Sequence, residues 1–134
     1  MVIILIFLLK GGLYLDTIIS TKSFNFAIDI INTYKTLCYT HKEYVLSKQI
    51  LKSGTSIGAN IREALRGQSK KYFLAKMYIA LKESEETKYW LLLLIECNYI
   101  DKNEGELLLN KCSELSRILN SIVKTTKLNL NKKQ

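Results

Sequence analysis

The chain contains no proline, and only 6 glycines and 1 histidine in 134 residues. Nothing therefore breaks a long helix from within, and sparse turn-forming clusters argue against short strands joined by tight turns. The single histidine, His41, lies in a short polar connection, where a solvated side chain is the ordinary state rather than a ligand or base. No metal-ligand cluster and no Glu-x-x-His repeat of the di-iron type accompanies it, so neither cofactor nor metal is expected. The three cysteines, Cys38, Cys97 and Cys112, form no C-x-x-C pair. They sit on apolar faces of predicted helices and read as reduced core thiols of a cytoplasmic protein. Acidic residues are outnumbered, 12 against 20 basic, for a formal net charge of +8. That balance favours an acidic partner, either nucleic acid or an anionic membrane surface, without choosing between them.

What is present is helical periodicity. The stretch 69–97, SKKYFLAKMYIALKESEETKYWLLLLIEC, has neither glycine nor proline. Phe73, Met77, Ala80, Leu81, Ser84, Thr87, Leu91, Leu94 and Ile95 recur at the three-and-four spacing that keeps one stripe on one side of a helix. At about 1.5 Å rise per residue this helix is roughly 40 Å long, more than one neighbour can cover.

The other elements follow from the same pattern. Ser23 is a candidate N-cap for a first helix over 23–39, with Phe24, Ala27, Ile28, Ile31, Tyr34, Leu37 and Cys38 on its core face and Phe26 and Ile30 on a second apolar face. A second helix over 44–66 carries Leu46, Ile50, Ile57, Ile61 and Leu65. Its centre holds Gly54 and Gly58, each costing about 1 kcal/mol relative to alanine, so close approach of another helix is the expected reason for both. A phosphate-binding glycine loop is the functional alternative, and it is disfavoured because no strand precedes and the G-x-x-x-x-G-K-[ST] pattern is missing. Gly67 is expected to end this helix in a left-handed turn. Asp101 with Glu104 three residues on marks the start of a fourth helix, whose stripe Leu107, Leu108, Cys112, Leu115, Leu119, Ile122 and Val123 runs to about residue 127. The prediction is an all-α, up-down-up-down antiparallel four-helix bundle over 23–128, with a polar tail at 129–134 that frays and an extension at 1–22.

The extension begins with an apolar run at 2–9, VIILIFLL, followed by Lys10, Gly11 and Gly12. It lacks the basic flank and small-residue cleavage site of a secretory signal, and it falls short of the ~20 apolar residues of a membrane span. A start-site artefact is expected: Lys-Gly-Gly translates a purine-rich ribosome-binding sequence, and a start codon would then fall near Leu15. An authentic membrane-tethering or partner-binding segment is the rival.

Several segments resemble a known family. KSFNFAIDIINTYK, YVLSKQILKSGTSIGANIREA with QSKKYF, IALKESEETKYWLLLL and ILNSIVKTTK are similar to the four-helix-bundle family encoded within intervening sequences of bacterial large-subunit ribosomal RNA genes. The resemblance covers about 22–127, and SKQILKSGTSIGAN and ETKYWL are its most specific portions. That family is in turn similar to the accessory variability protein of diversity-generating retroelements, a homopentamer with a basic surface that associates with reverse transcriptase and nucleic acid. The resemblance implies a homopentamer here, with RNA or DNA and a reverse transcriptase or other protein as partners. It also implies that Ser56, Asn60 and Glu63 in the second helix and Ser84 and Glu86 in the third occupy motif positions, where an internal hydrogen-bond network fixing helix register is expected.

Charge is unevenly spread. Lys48, Lys52, Arg62, Arg66, Lys70, Lys71 and Lys76 lie around the second-to-third helix corner with only Glu63 against them, and they form the candidate nucleic-acid-binding set. Glu83, Glu85, Glu86, Glu96, Asp101, Glu104 and Glu106 gather toward what is expected to be the opposite end. A plain solvated helix surface, or basic-to-acidic contacts between subunits, accounts for the same asymmetry. Tyr72 beside the basic set either stacks on a base or packs at the turn. Of the adjacent Tyr89 and Trp90, one is expected in the core and the other free for an intersubunit contact. Glu63 and Glu86 lack any nucleophile or histidine to work with, so no catalytic residue and no enzymatic activity are expected. A protein-binding scaffold without nucleic acid is the alternative function.

Overall fold

The structure, a computed structural model, describes residues 3–132, with side chains from 17 to 132. Four helices follow one another: α1 (Ile3–Tyr39), α2 (Leu46–Arg66), α3 (Lys70–Glu96) and α4 (Lys102–Asn131). Each runs antiparallel to the next, as the contacts across each pair show. Gly54 and Gly58 of α2 face Ile30 and Ser23 of α1, Ser53 and Glu63 of α2 meet Thr87 and Lys76 of α3, and Ser84 of α3 meets Ser116 of α4. Helix α4 returns beside α1, where Lys22 pairs with Glu114 and Asp29 with Lys111. The fold is an all-α four-helix bundle, as expected.

The core takes Ile19, Phe26, Ile30 and Leu37 from α1, Ile50, Ile57, Ile61 and Ala64 from α2, Met77, Ala80, Leu91 and Leu94 from α3, and Leu108, Cys112, Leu115 and Leu119 from α4. Each fully buried large aliphatic contributes about 1.5–3 kcal/mol of transfer free energy, which is what holds the four amphipathic stripes together. Small hydroxyls thread between them: Thr87 donates to Ser53 (3.0 Å), Ser84 and Ser116 share a hydrogen bond (2.7 Å), and no described buried side-chain polar atom lacks a partner.

Helix α1 departs from expectation in start and in phase. It begins at Ile3 and passes through residue 23 unbroken, so Ser23 is no cap; its hydroxyl is buried and donates to the Ser20 carbonyl at 3.1 Å. The core face is the Ile19, Phe26, Ile30 and Leu37 stripe, while Phe24, Ile28 and Ile31 point outward. Two apolar faces on one helix leave its phase open, and the close approach of α2 through Gly54 selects the face that carries Ile30. The apolar run at 2–9 and the Lys10-Gly11-Gly12 sequence fall where side chains lie outside the described residues.

The helix ends are set by side chains the residue pattern only partly exposes. Glu43 accepts from the backbone N–H groups of Val45 and Leu46 (both 2.9 Å) and of Ser47 (2.7 Å), and so satisfies the first turn of α2. Burial works to raise the Glu43 pKa, but these three N–H groups outweigh it and hold the carboxyl below its ordinary value. Ser69 caps α3 by accepting from Tyr72 N, and Asp101 caps α4 by accepting from Asn103 N and Glu104 N. Gly67 does not form the expected left-handed turn, having φ −73 and ψ 155. Its lack of a side chain instead makes room for the Tyr72 ring, which a Cβ at 67 would strike. The left-handed cap belongs to Asn98 (φ 62): Asn98 N bonds to Ile95 O and Tyr99 N to Leu94 O, a Schellman ending of α3. Helix α4 continues to Asn131 through the segment expected to fray, since neither glycine nor proline follows to stop it.

Candidate nucleic-acid interface

Helix α2 positions most of the predicted cations. Lys48, Lys52, Thr55, Ala59, Arg62 and Arg66 are spaced four, three, four, three and four apart, which keeps them within one narrow stripe of a 3.6-residue helix. All but half-buried Thr55 are exposed, and the core residues Ile50, Ile57 and Ile61 occupy the other side. From Lys48 to Arg66 the stripe extends about 27 Å, at ~1.5 Å per residue. None of its four cations forms an ion pair among the described residues. Lys52 does lie near Glu83, whose pKa burial and neighbouring Glu86 raise while Lys52 and Lys82 pull it down.

The remaining predicted cations behave differently. Lys71 is exposed and Lys70 half-buried at the start of α3. Lys76 is paired, its Nζ lying 2.7 Å from Glu63 Oε2, and that hydrogen bond raises its pKa against the opposing effect of burial. It is therefore not an open cation. Lys48 and Lys52 also stand several turns from the α2–α3 corner, so the set is a stripe ending in a corner rather than a cluster at it.

Sequence reasoning missed the cations that α4 adds. Because Ser84 faces Ser116 across an antiparallel pair, Lys124 lies level with Lys76, and exposed Lys124, Lys127 and Lys132 fall at the same end of the bundle as the α2–α3 corner. The run KTTKLNLNKK carried that signal, but its lysines stand at the end of the expected fourth helix and in the expected tail, and none belongs to the candidate set. The acidic end is narrower than expected. Glu96, Asp101, Glu104 and Glu106 surround the α3–α4 turn, but Glu83, Glu85 and Glu86 sit midway along α3.

The expected polar network does not form as a unit. Ser56 donates to its own helix at Lys52 O (2.6 Å), Asn60 donates to Ser56 O (2.8 Å), Glu63 pairs with Lys76, and Glu86 accepts from Trp90 Nε1 (3.2 Å). Only Ser84 is buried and bonded across the bundle, to Ser116, with the Cys112 thiol donating to its carbonyl at 3.2 Å. Ser56 and Asn60 each spend their donor on the carbonyl four residues back in their own helix. Gly54 and Gly58 do serve close packing: a Cβ at 54 would lie 2.8 Å from Ile30, and one at 58 would lie 3.3 Å from Ser23 Oγ.

Cys112 is a core thiol, burial pushing its pKa up to about 12. Cys38 is half-buried and donates to Ser47, but Cys97, the C-cap of α3, is exposed, contrary to the expected core position. Tyr89 is exposed and Trp90 packs partly against the core, the two rings meeting edge-on at 5.2 Å.

At the corner, Arg62, Glu63, Arg66, Gly67, Gln68 and Tyr72 line an open cleft of about 460 Å³. Among the described residues no three His, Cys, Asp or Glu side chains converge as metal ligands would, and no helix is long and apolar enough to cross a membrane.

The model of the 23S rRNA-intervening sequence protein family matches residues 16–121. The chain belongs to that family. This family's matched span includes the whole α2 stripe and both glycines that seat α2 on α1. A family likeness extends to solved structures: the chain is similar to a protein of unknown function from the S23 ribosomal protein family of Bacteroides thetaiotaomicron, whose crystal structure was determined at 1.70 Å. The two are 51% identical with a TM-score of 0.81, over 82% of this chain and 98% of that one. No curated protein matches the chain.

Proposed function

We propose that this family member is a non-enzymatic, oligomeric helical-bundle protein that binds nucleic acid through the α2 stripe and acts as an accessory factor to a larger assembly. The observation that carries this reading is the stripe itself: Lys48, Lys52, Arg62 and Arg66 stand in line and exposed, with no ion pair to a carboxylate among the described residues. A line of open cations suits a phosphate backbone, and affinity earned by counterion release falls steeply as salt rises. The homopentamer implied by the resemblance would repeat the stripe around a ring, with a reverse transcriptase or another protein as a further partner. A cytoplasmic location belongs to the same proposal and is supported by the free thiols of Cys38 and Cys112.

A second reading, a protein-binding scaffold, is favoured by α3, where Tyr78, Tyr89 and Leu92 share one exposed face. Light scattering coupled to size exclusion, with and without a short structured RNA at low and high salt, separates the two. The nucleic-acid reading expects an oligomer-sized mass that gains RNA at low salt only. Each stripe cation replaced by alanine should lower the slope of log affinity against log salt by about 0.7 on a single strand. A protein that ignores RNA and DNA at every salt overturns this reading and leaves the scaffold.

A further inference from the structure

We infer that the cleft at the α2–α3 corner is a subsite for one unpaired nucleotide, so that the protein prefers single-stranded over blunt duplex nucleic acid; this rests on the nucleic-acid reading above. The cleft combines the three things an unpaired nucleotide needs. Tyr72 is 41% exposed and offers an aromatic ring, which only a base free of a duplex stack can cover. Arg62 and Arg66 are one helical turn apart on the same wall and carry the phosphate-facing charge. Gln68 supplies both a donor and an acceptor for a base edge. The volume of about 460 Å³ lies within the range of sites that take molecules of nucleotide size.

The ring is held in place. Gly67 leaves the space Tyr72 fills, and Lys76 Nζ stands 5.6 Å from the ring centroid. The one carboxylate in the cleft, Glu63, is neutralised by that same Lys76 at 2.7 Å, so it does not repel a phosphate as a bare charge would. From the cleft the stripe leads along α2 from Arg66 and Arg62 to Lys52 and Lys48, a track for the strand that carries the captured nucleotide.

The test is fluorescence anisotropy at low salt on the full chain, using a blunt duplex and an overhang-bearing duplex of equal phosphate count, in RNA and in DNA versions. Tighter binding of the overhang in either version is expected. Tyr72→Leu should weaken overhang binding about tenfold, while Tyr72→Phe, which keeps the ring, retains the preference. Gly67→Ala, which displaces the ring without removing it, should weaken overhang binding in the same direction; thermal melts confirm that each variant folds. Equal binding of the two probes, or a Tyr72→Leu variant that keeps the preference, overturns the subsite and leaves salt-dependent binding standing. Failure of both probes to bind at low salt overturns the nucleic-acid reading and the subsite with it.

Discussion

Glu43 precedes α2 by three residues, yet it holds the N–H group of the N-cap residue Val45 and the first two of the helix itself, Leu46 and Ser47. Val45 at the N-cap position has no side-chain oxygen to offer, so the work falls to a carboxylate that reaches forward from the connection. Loss of such a cap typically costs about 1 kcal/mol, so Glu43→Ala should lower stability by that order near neutral pH. The sign of its pH dependence follows from its depressed pKa in the folded state. The unfolded chain takes up the proton first as pH falls, so the contribution is complete above the ordinary carboxylate pKa of about 4.3 and disappears as pH drops through the lower folded value. Urea melts of the two proteins should accordingly differ at pH 7 and converge in strong acid. A gap that persists unchanged at low pH would mean the side chain acts by packing rather than by charge.

At the scale of the helix, the contact between α1 and α2 turns on two glycines that differ in what they face. A methyl group at 54 would sit 2.8 Å from both γ-carbons of Ile30, a fully buried side chain with no room to retreat. Gly54→Ala should therefore destabilise by about 1–3 kcal/mol, as overpacking does. A methyl at 58 would meet a serine hydroxyl at 3.3 Å, and a small rotation of Ser23 relieves it. There the gain in helix propensity of about 1 kcal/mol offsets the strain, so Gly58→Ala should be near neutral. Comparable losses in thermal melts of both variants would contradict this account of the seam. The two glycines were legible as a close approach because two of them a turn apart in an otherwise helical sequence require a reason. The phase of α1 was not, because Phe24, Ile28 and Ile31 compete with Phe26 and Ile30 and only the tertiary contact chooses. The candidate cations were legible by residue, but the basic corner expected of them is in the structure a stripe along α2. The loss of Lys76 to Glu63, the arrival of Lys124 and Lys127 at the same end, and the pairing of Ser84 with Ser116 all depend on register between helices, which no single-helix pattern contains.

For the whole molecule, the misassigned face of α1 becomes the informative one. Phe24 (58% exposed), Ile28 (43%) and Ile31 (38%) are separated by four and three residues and share one outward stripe of a helix whose other side is already packed. Three large apolar side chains in a row on the surface suit the apolar centre of a subunit contact. The proposed oligomer gives them one occupant, a second copy of the chain. Symmetric closure would then repeat the contact and bring the α2 stripes into a common assembly. Because these side chains are outside the bundle core, Phe24→Glu with Ile28→Glu should leave helical content and the cooperative melt of the bundle intact. Light scattering should then show the mass falling from that of the assembly to 15.4 kDa. RNA binding should weaken in parallel by far more than one cation's share, since linked stripes act on one nucleic acid with an effective local concentration that isolated subunits lack. An unaltered mass after both substitutions would move the subunit contact elsewhere, with the exposed Tyr78, Tyr89 and Leu92 face of α3 next in line. A reduced mass with undiminished RNA affinity would show instead that a single α2 stripe suffices.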